Sequence, residues 1–214
     1  LLDARNRLES MPGLRIIGVT GSYGKTTTKH YLQRILSEQY ETLMTPGSFN
    51  TTLGVIRTVR EYLKPYNEMF IVEMGAKQKG DIKEICDMVH PDHGVITSIG
   101  PQHLETFFNM ENIQKTKFEL ADALPEGGML FLNGDNDYIQ QQAASPAYDQ
   151  TPEKIFYYSE TEGTGYCAKD VKVSQLGTEF TVVTPDGESE RFQMRLIGAH
   201  NVINVVGAIA VAHK

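Results

Sequence analysis

Apolar and polar positions along this chain follow two periods, one suited to strands and one to helices, which take turns from residue 15 to about 142. Arg15-Ile16-Ile17-Gly18-Val19-Thr20 starts the series with a β-branched run, and further apolar runs cover 69–74, 93–98 and 128–133, with a shorter one at 41–45. Continuous runs of this kind suit parallel strands buried on both faces. Between them lie helical spacings: Tyr31, Leu32, Ile35 and Leu36 in a segment from about 26 to 39; Val55, Ile56, Val59 and Leu63 over 53–63; and segments at 80–89 and 111–124. The alternation predicts an α/β fold built on a mostly parallel, doubly wound sheet. From Lys154 the pattern shifts to short strands at 155–158, 171–173, 179–183 and 191–196, with Thr184-Pro185-Asp186-Gly187 as the hairpin between the last two. A small, mainly antiparallel β extension is therefore expected at about 154–197. An Ala- and Val-rich helix opens at Gly198-Ala199-His200-Asn201 and runs to 213, while residues 1–14 form a helical lead-in closed by Met11-Pro12-Gly13. No internal repeat or low-complexity tract is present.

The first strand runs straight into Gly21-Ser22-Tyr23-Gly24-Lys25-Thr26-Thr27, followed by a helix: strand, phosphate loop, helix. Glycines at 21 and 24 allow backbone dihedrals closed to other residues and turn N–H groups inward as a cradle of donors. Lys25 adds a point charge, Thr26 a hydroxyl suited to magnesium, and the helix its positive N-terminal end. The strict G-x-x-x-x-G-K-[ST] pattern needs glycine at 19, where Val19 stands, so this loop is a variant. The alternative is a Gly-rich turn that caps a helix.

Glu73 ends an otherwise apolar strand. A buried carboxylate must be protonated, hydrogen-bonded or bound to a cation. His103 and Glu105 lie in a polar loop at 99–109, and Ser48, Asn50 and Thr51 in a loop rich in ligand-bonding groups. In doubly wound sheets ligands sit beyond the carboxyl ends of the strands, so the phosphate loop, Glu73 and the His103 loop are expected to meet. Taken singly, Glu73 fits a structural carboxylate, His103 a bonded loop histidine, Lys117 beside Lys115 a solvated helix face, and Asn201 a helix cap. His90-Pro91-Asp92-His93 imitates a metal motif, but Pro91 and the strand start separate the imidazoles. Asp135-Asn136-Asp137 reads as a turn.

Composition narrows the classes. At 214 residues the chain fits one large domain, or a domain with a subdomain, able to bury roughly 70% of its unfolded surface. Twenty basic against 27 acidic residues, with no basic run longer than a pair, argues against nucleic acid. Cys86 and Cys167 suit a reducing cytosol and are expected to be inert, which points to a cytoplasmic protein. No apolar run approaches the roughly 18 residues of a membrane span, so no membrane insertion is expected. The chain starts at Leu1 and stops inside a helical pattern, as an excised domain would.

These motifs together resemble the central ATP-binding domain of the Mur ligase family, a P-loop NTPase-like fold: Thr20-Gly21-Ser22-Tyr23-Gly24-Lys25-Thr26-Thr27, the strand end at Glu73, the His103 loop, the helix around Lys117, and Gly198-Ala199-His200-Asn201-Val202-Ile203-Asn204. Within the family, Glu73-Met74-Gly75-Ala76 and Thr26-Thr27-Thr28-Lys29 most resemble the members that add D-alanyl-D-alanine to UDP-N-acetylmuramoyl-tripeptide. The loop at 45–51 departs from the family's paired asparagines, having Asn50-Thr51.

The resemblance implies an ADP-forming ligase using ATP and Mg2+ through an acyl phosphate. Gly21, Ser22, Tyr23, Gly24, Lys25, Thr26 and Thr27 would hold the nucleotide phosphates, and Asn201 with Asn204 the adenine. Thr26, Glu73 and His103 would hold metal. Lys25, Glu73, His103 and Lys117 form the catalytic set, with Lys117 carbamylated, and Ser48, Asn50 and Thr51 would contact substrate. It further implies that residues 1–14 lead in from a preceding domain, that a C-terminal domain follows residue 214, that the protein is a monomer, and that the isolated segment binds nucleotide weakly without ligating. Another Mur-type ligase, a folylpolyglutamate synthase-like enzyme, or a non-catalytic nucleotide-binding module remain the alternatives.

Overall fold

A computed structural model describes residues 2–145, 154–160, 163 and 165–214; Leu1 at the start of the lead-in, and residues 161, 162 and 164 of the expected β extension, lie outside the described residues. The chain runs α1 (Leu2–Glu9), β1 (Arg15–Thr20), α2 (Lys25–Leu36), β2 (Thr42–Met44), α3 (Thr52–Glu61), β3 (Met69–Met74), α4 (Asp81–Val89), β4 (His93–Ile96), α5 (Leu104–Phe107), α6 (Met110–Asp122), β5 (Met129–Asn133), α7 (Asp137–Ala143), β6 (Lys154–Ser159), β7 (Tyr166–Ser174), β8 (Gly177–Val183), β9 (Ser189–Met194), a 3-10 turn (Ala199–Asn201) and α8 (Val202–His213). The described strands form one sheet in the order β2-β3-β1-β4-β5-β6-β7-β8-β9.

Because side chains alternate across a strand, adjacent apolar residues in the central strands serve opposite faces. Ile16, Phe70 and Val72 pack with α1, α3, α4 and α6, whereas Ile17, Val19, Ile71 and Val95 pack with Leu32 and Leu36 of α2 and Val205, Val206 and Ala208 of α8. Each such fully buried aliphatic side chain contributes roughly 1.5–3 kcal/mol. The unbroken apolar runs thus have the cause their sequence suggested: both faces of the sheet are covered. Leu120 of α6 sits over the two strand glycines, where a Cβ on Gly18 would fall 2.6 Å from Leu120 Cδ1 and one on Gly94 3.0 Å from its Cγ. That close approach brings α6, and with it Lys117, down onto the sheet.

Register sets the site. Thr20 lies level with Met74 of β3 and with Ile96 of β4, so the carboxyl ends of three adjacent parallel strands open at one height. Two local differences from the sequence pattern have physical reasons. The antiparallel part begins only at β7: β6 pairs parallel with β5 through five residue pairs, its Phe156 ring stacked on Phe131 at 5.3 Å, and so continues the parallel order. The polar 99–109 loop also contains the short helix α5, which buries Phe107. The hairpin at 184–187 is present, with Thr184 N donating to Glu188 O at 2.8 Å.

Candidate active site

β1 continues through Val19, which is fully buried and level with Glu73, to Thr20, so the loop opens at Gly21, two residues after the position where the strict phosphate-loop pattern has its first glycine. Gly21 has φ 151°, and a Cβ there would meet Thr97 Oγ1 at 2.1 Å; Gly24, at φ 83°, caps α2, and a Cβ there would meet Asn204 Oδ1 at 2.4 Å. Both positions therefore exclude a side chain on two counts, dihedral and space. The loop is strapped to the segment after β4. Ser22 N donates to Ser98 O at 2.7 Å, Ser22 Oγ to Gly100 O at 3.1 Å, Tyr23 N to Ser98 Oγ at 3.0 Å and Tyr23 OH to Pro101 O at 3.2 Å. Lys25 Nζ donates to Gly21 O at 2.8 Å. Burial holds the Lys25 ammonium below the usual lysine range, with the Glu73 carboxylate opposing. Thr27 is half-buried in the first turn of α2.

Glu73 is 2% exposed and bonded at both carboxylate oxygens. Its carboxylate accepts from Thr26 Oγ1 at 3.2 and 3.3 Å, from Asn50 Nδ2 at 3.2 Å and from the ammonium of Lys29 at 2.8 Å, while its backbone N donates to Thr45 Oγ1 at 3.1 Å. Lys29 is a residue that sequence reasoning passed over. The signal was available: positions 29, 32 and 36 share one helical stripe, Leu32 and Leu36 are buried on it, and a charge on that stripe demands a partner.

Lys25, Asn50, Thr51, Gly75, His103 and Lys117 line one cavity of about 800 Å³ beyond the strand ends. His103 caps α5 at φ 53° and is exposed, facing the cavity; among the described residues it makes no hydrogen bond or ion pair with Thr26 or Glu73. Lys117 is 2% exposed. Burial, aided by the positive charge of Lys25 and opposed by Glu119 and Asp81, pulls its ammonium down to about 7. Thr51 also lines the cavity, but its hydroxyl caps α3 by accepting from Gly54 N at 3.3 Å; Ser48 is exposed and outside the lining residues. Asn204 reaches the loop from α8, its Oδ1 accepting from Thr28 Oγ1 at 3.4 Å, and Asn201, one turn earlier, lies beside His200 at 3.2 Å.

The decoys resolve as structure. Asp92 accepts from Ile16 N at 2.8 Å, His93 Nδ1 accepts from Met129 N at 3.2 Å, and burial pushes the Cys86 thiol up to about 12. Asn136 caps α7 by accepting from Ile139 N at 3.1 Å.

A parallel sheet, a glycine-hinged donor loop after its central strand, a lysine and threonine opening the next helix, and an acid at the neighbouring strand end define a P-loop nucleotide-binding α/β domain. More narrowly, the chain belongs to the family described as Mur ligase middle domain, whose model matches residues 19–212. It is 37% identical over 203 residues to the UDP-N-acetylmuramoyl-tripeptide–D-alanyl-D-alanine ligase of Bacillus subtilis, covering 92% of this chain and 41% of that protein. The corresponding ligase of Escherichia coli is 31% identical over 200 residues, covering 92% of this chain and 43% of its own length. Among solved structures, MurF from Acinetobacter baumannii superposes with a TM-score of 0.87 at 30% identity, over 98% of this chain and 45% of that one. MurF ligase from Thermotoga maritima, in complex with ADP, gives 0.84 at 27%, over 98% and 47%. The chain thus spans about two fifths of the length of these curated relatives.

Proposed function

We propose that this chain is the nucleotide-binding and phosphoryl-transfer core of an ATP-dependent, ADP-forming ligase that joins D-alanyl-D-alanine to UDP-N-acetylmuramoyl-tripeptide in peptidoglycan precursor synthesis. The observation that carries the reading is the convergence of Lys25, Asn50, His103 and Lys117, from four separate segments, on one cavity, with Glu73 outside its lining but bonded to Asn50 of that lining and to Thr26. The likeness to ligases of that name in Bacillus subtilis and Escherichia coli supports the choice of substrates.

A carboxylate is a poor electrophile toward an amine. Transfer of the γ-phosphoryl group to the substrate carboxylate gives an acyl phosphate, whose carbonyl the amine attacks, with phosphate leaving. In this reading the backbone N–H groups of Gly24 and of the first turn of α2 hold the β- and γ-phosphates, while those of Ser22 and Tyr23 fix the loop to Ser98. Lys25, its stem fixed by α2, turns its ammonium from Gly21 O to the phosphate charge that grows in the transition state. Asn201 and Asn204 are assigned to adenine, since Asn204 packs against Gly24 of the phosphate loop and accepts from Thr28 Oγ1 of α2.

The donor set fits Mg2+. Thr26 and Glu73 offer oxygen within mutual contact, and no group of three or more acidic, His or Cys side chains forms a full protein cage among the described residues, as suits an ion that shares its shell with phosphate and water. When bound, the ion would offset charge on the phosphoryl oxygens. His103 is proposed to complete the set from the cavity side. An ammonium titrating at about 7 leaves Lys117 largely as free amine above that pH, the form that adds carbon dioxide with loss of a proton to give a carbamate.

In the full-length ligase, Lys25→Ala is expected to abolish phosphate release that depends on both substrates. Retained release would remove Lys25 from its role, and preference for diaminopimelate, lysine or glutamate over D-alanyl-D-alanine would reassign the substrate.

A further inference from the structure

The Lys29–Glu73 pair has three features that a casual surface ion pair lacks. Both side chains are excluded from solvent, at 0% and 2% exposure. The ammonium has three donors and spends them on three acceptors: Glu73 Oε2 at 2.8 Å, Thr45 O at 2.9 Å and Gly47 O at 2.7 Å. Those acceptors belong to β3 and to the loop after β2, so one ammonium ties α2 to both. Lys29 is consequently saturated and fixed, unlike Lys25 four residues earlier, which faces the cavity.

The geometry at Glu73 gives this bond a direction. Lys29 pulls on Oε2 and Asn50 Nδ2 on Oε1, which sets the carboxylate plane, and Thr26 Oγ1 then lies nearly equidistant from the two oxygens, at 3.3 and 3.2 Å. The open edge of the carboxylate is thereby presented to the threonine hydroxyl. Asn50 is held in turn, its O accepting from Gly75 N at 2.7 Å, so the loop that lines the cavity and the acid behind it share one anchor.

We infer that Lys29 is a positioning residue: a resident counter-cation that neutralises Glu73 in the protein without nucleotide and holds its open edge toward Thr26, so that an incoming divalent ion finds the carboxylate already aimed. The inference rests on the nucleotide-and-magnesium reading above. Residues that orient a metal's ligands typically change metal affinity about 10- to 100-fold when removed.

The test is calorimetric ADP binding by the full-length protein, read as the ratio of the dissociation constant with chelator to that with magnesium. Lys29→Met, checked for folding by circular dichroism at low temperature, is expected to lower that ratio about tenfold or more. A purely structural role would lower Tm and leave the ratio untouched in the folded protein, which would overturn the inference. Where Lys29→Met does not fold, Glu73→Gln and Lys29→Met/Glu73→Gln are compared. A residue acting through Glu73 adds nothing once the carboxylate is gone, and a further fall in the ratio would overturn its assignment. Wild-type ADP binding indifferent to magnesium would instead sink the reading on which the inference stands.

Discussion

Lys117 shows how burial, aided by a neighbouring positive charge, shifts a side chain's protonation. With its ammonium drawn from the ordinary 10.5 to about 7 in the folded chain, the unfolded chain binds more protons between those two values. Stability therefore rises with pH across that window; the penalty is complete below about 7 and gone above about 10.5. Lys117→Met should remove this slope and stabilise the protein at pH 7 by on the order of a few kcal/mol, as urea unfolding of both forms at pH 7 and pH 10 would measure. A slope unchanged by the substitution would assign it to other groups. Local pattern alone placed Lys117 on a helix beside Lys115 and did not separate them; only the family resemblance singled out Lys117, and the structure shows 115 exposed and 117 buried on an α6 whose Leu120 sits over Gly18 and Gly94.

Among elements, α2 carries the most consequence, because its first turn belongs to the phosphate loop and its second to the core. Gly24→Ala would force a left-handed alanine and bring its Cβ within 2.4 Å of Asn204 Oδ1. A loss of about 1–3 kcal/mol in urea unfolding, with weaker ADP binding, is expected. Asn204→Ala in that background relieves the collision but not the dihedral, so only part of the stability should return. Elements of this kind were legible in the sequence: β1, β3, α2 and α6 follow directly from runs and stripes, because each is covered on a face that its residues dictate. The less legible parts depend on partners distant in sequence. Helix α5 is four residues long and held by Phe107 burial and Thr106 Oγ1 donating to Lys77 O, neither of which a local pattern encodes. The parallel pairing of β6 is fixed by β5, and the partner of Glu73 proved to be a lysine on α2.

At the level of the molecule, two apolar layers share the sheet, and the one on the α2 side is completed by α8. Deleting residues 202–214 would uncover Ile17, Val19, Leu32 and Phe131 together, an exposure too large for the remaining contacts to offset. Such a chain should lose cooperative thermal unfolding and bind a hydrophobic dye, and a sharp transition at the original Tm would contradict this. No helix among the described residues is long and apolar enough to cross a membrane. The sheet formed by the described strands has two margins. One is β2, only three residues long; the other is β9, whose Ser189, Glu190, Arg191 and Gln193 are exposed. Short and charged borders are poor templates for a foreign strand, so the sheet formed by the described strands offers little purchase for edge-to-edge pairing between copies.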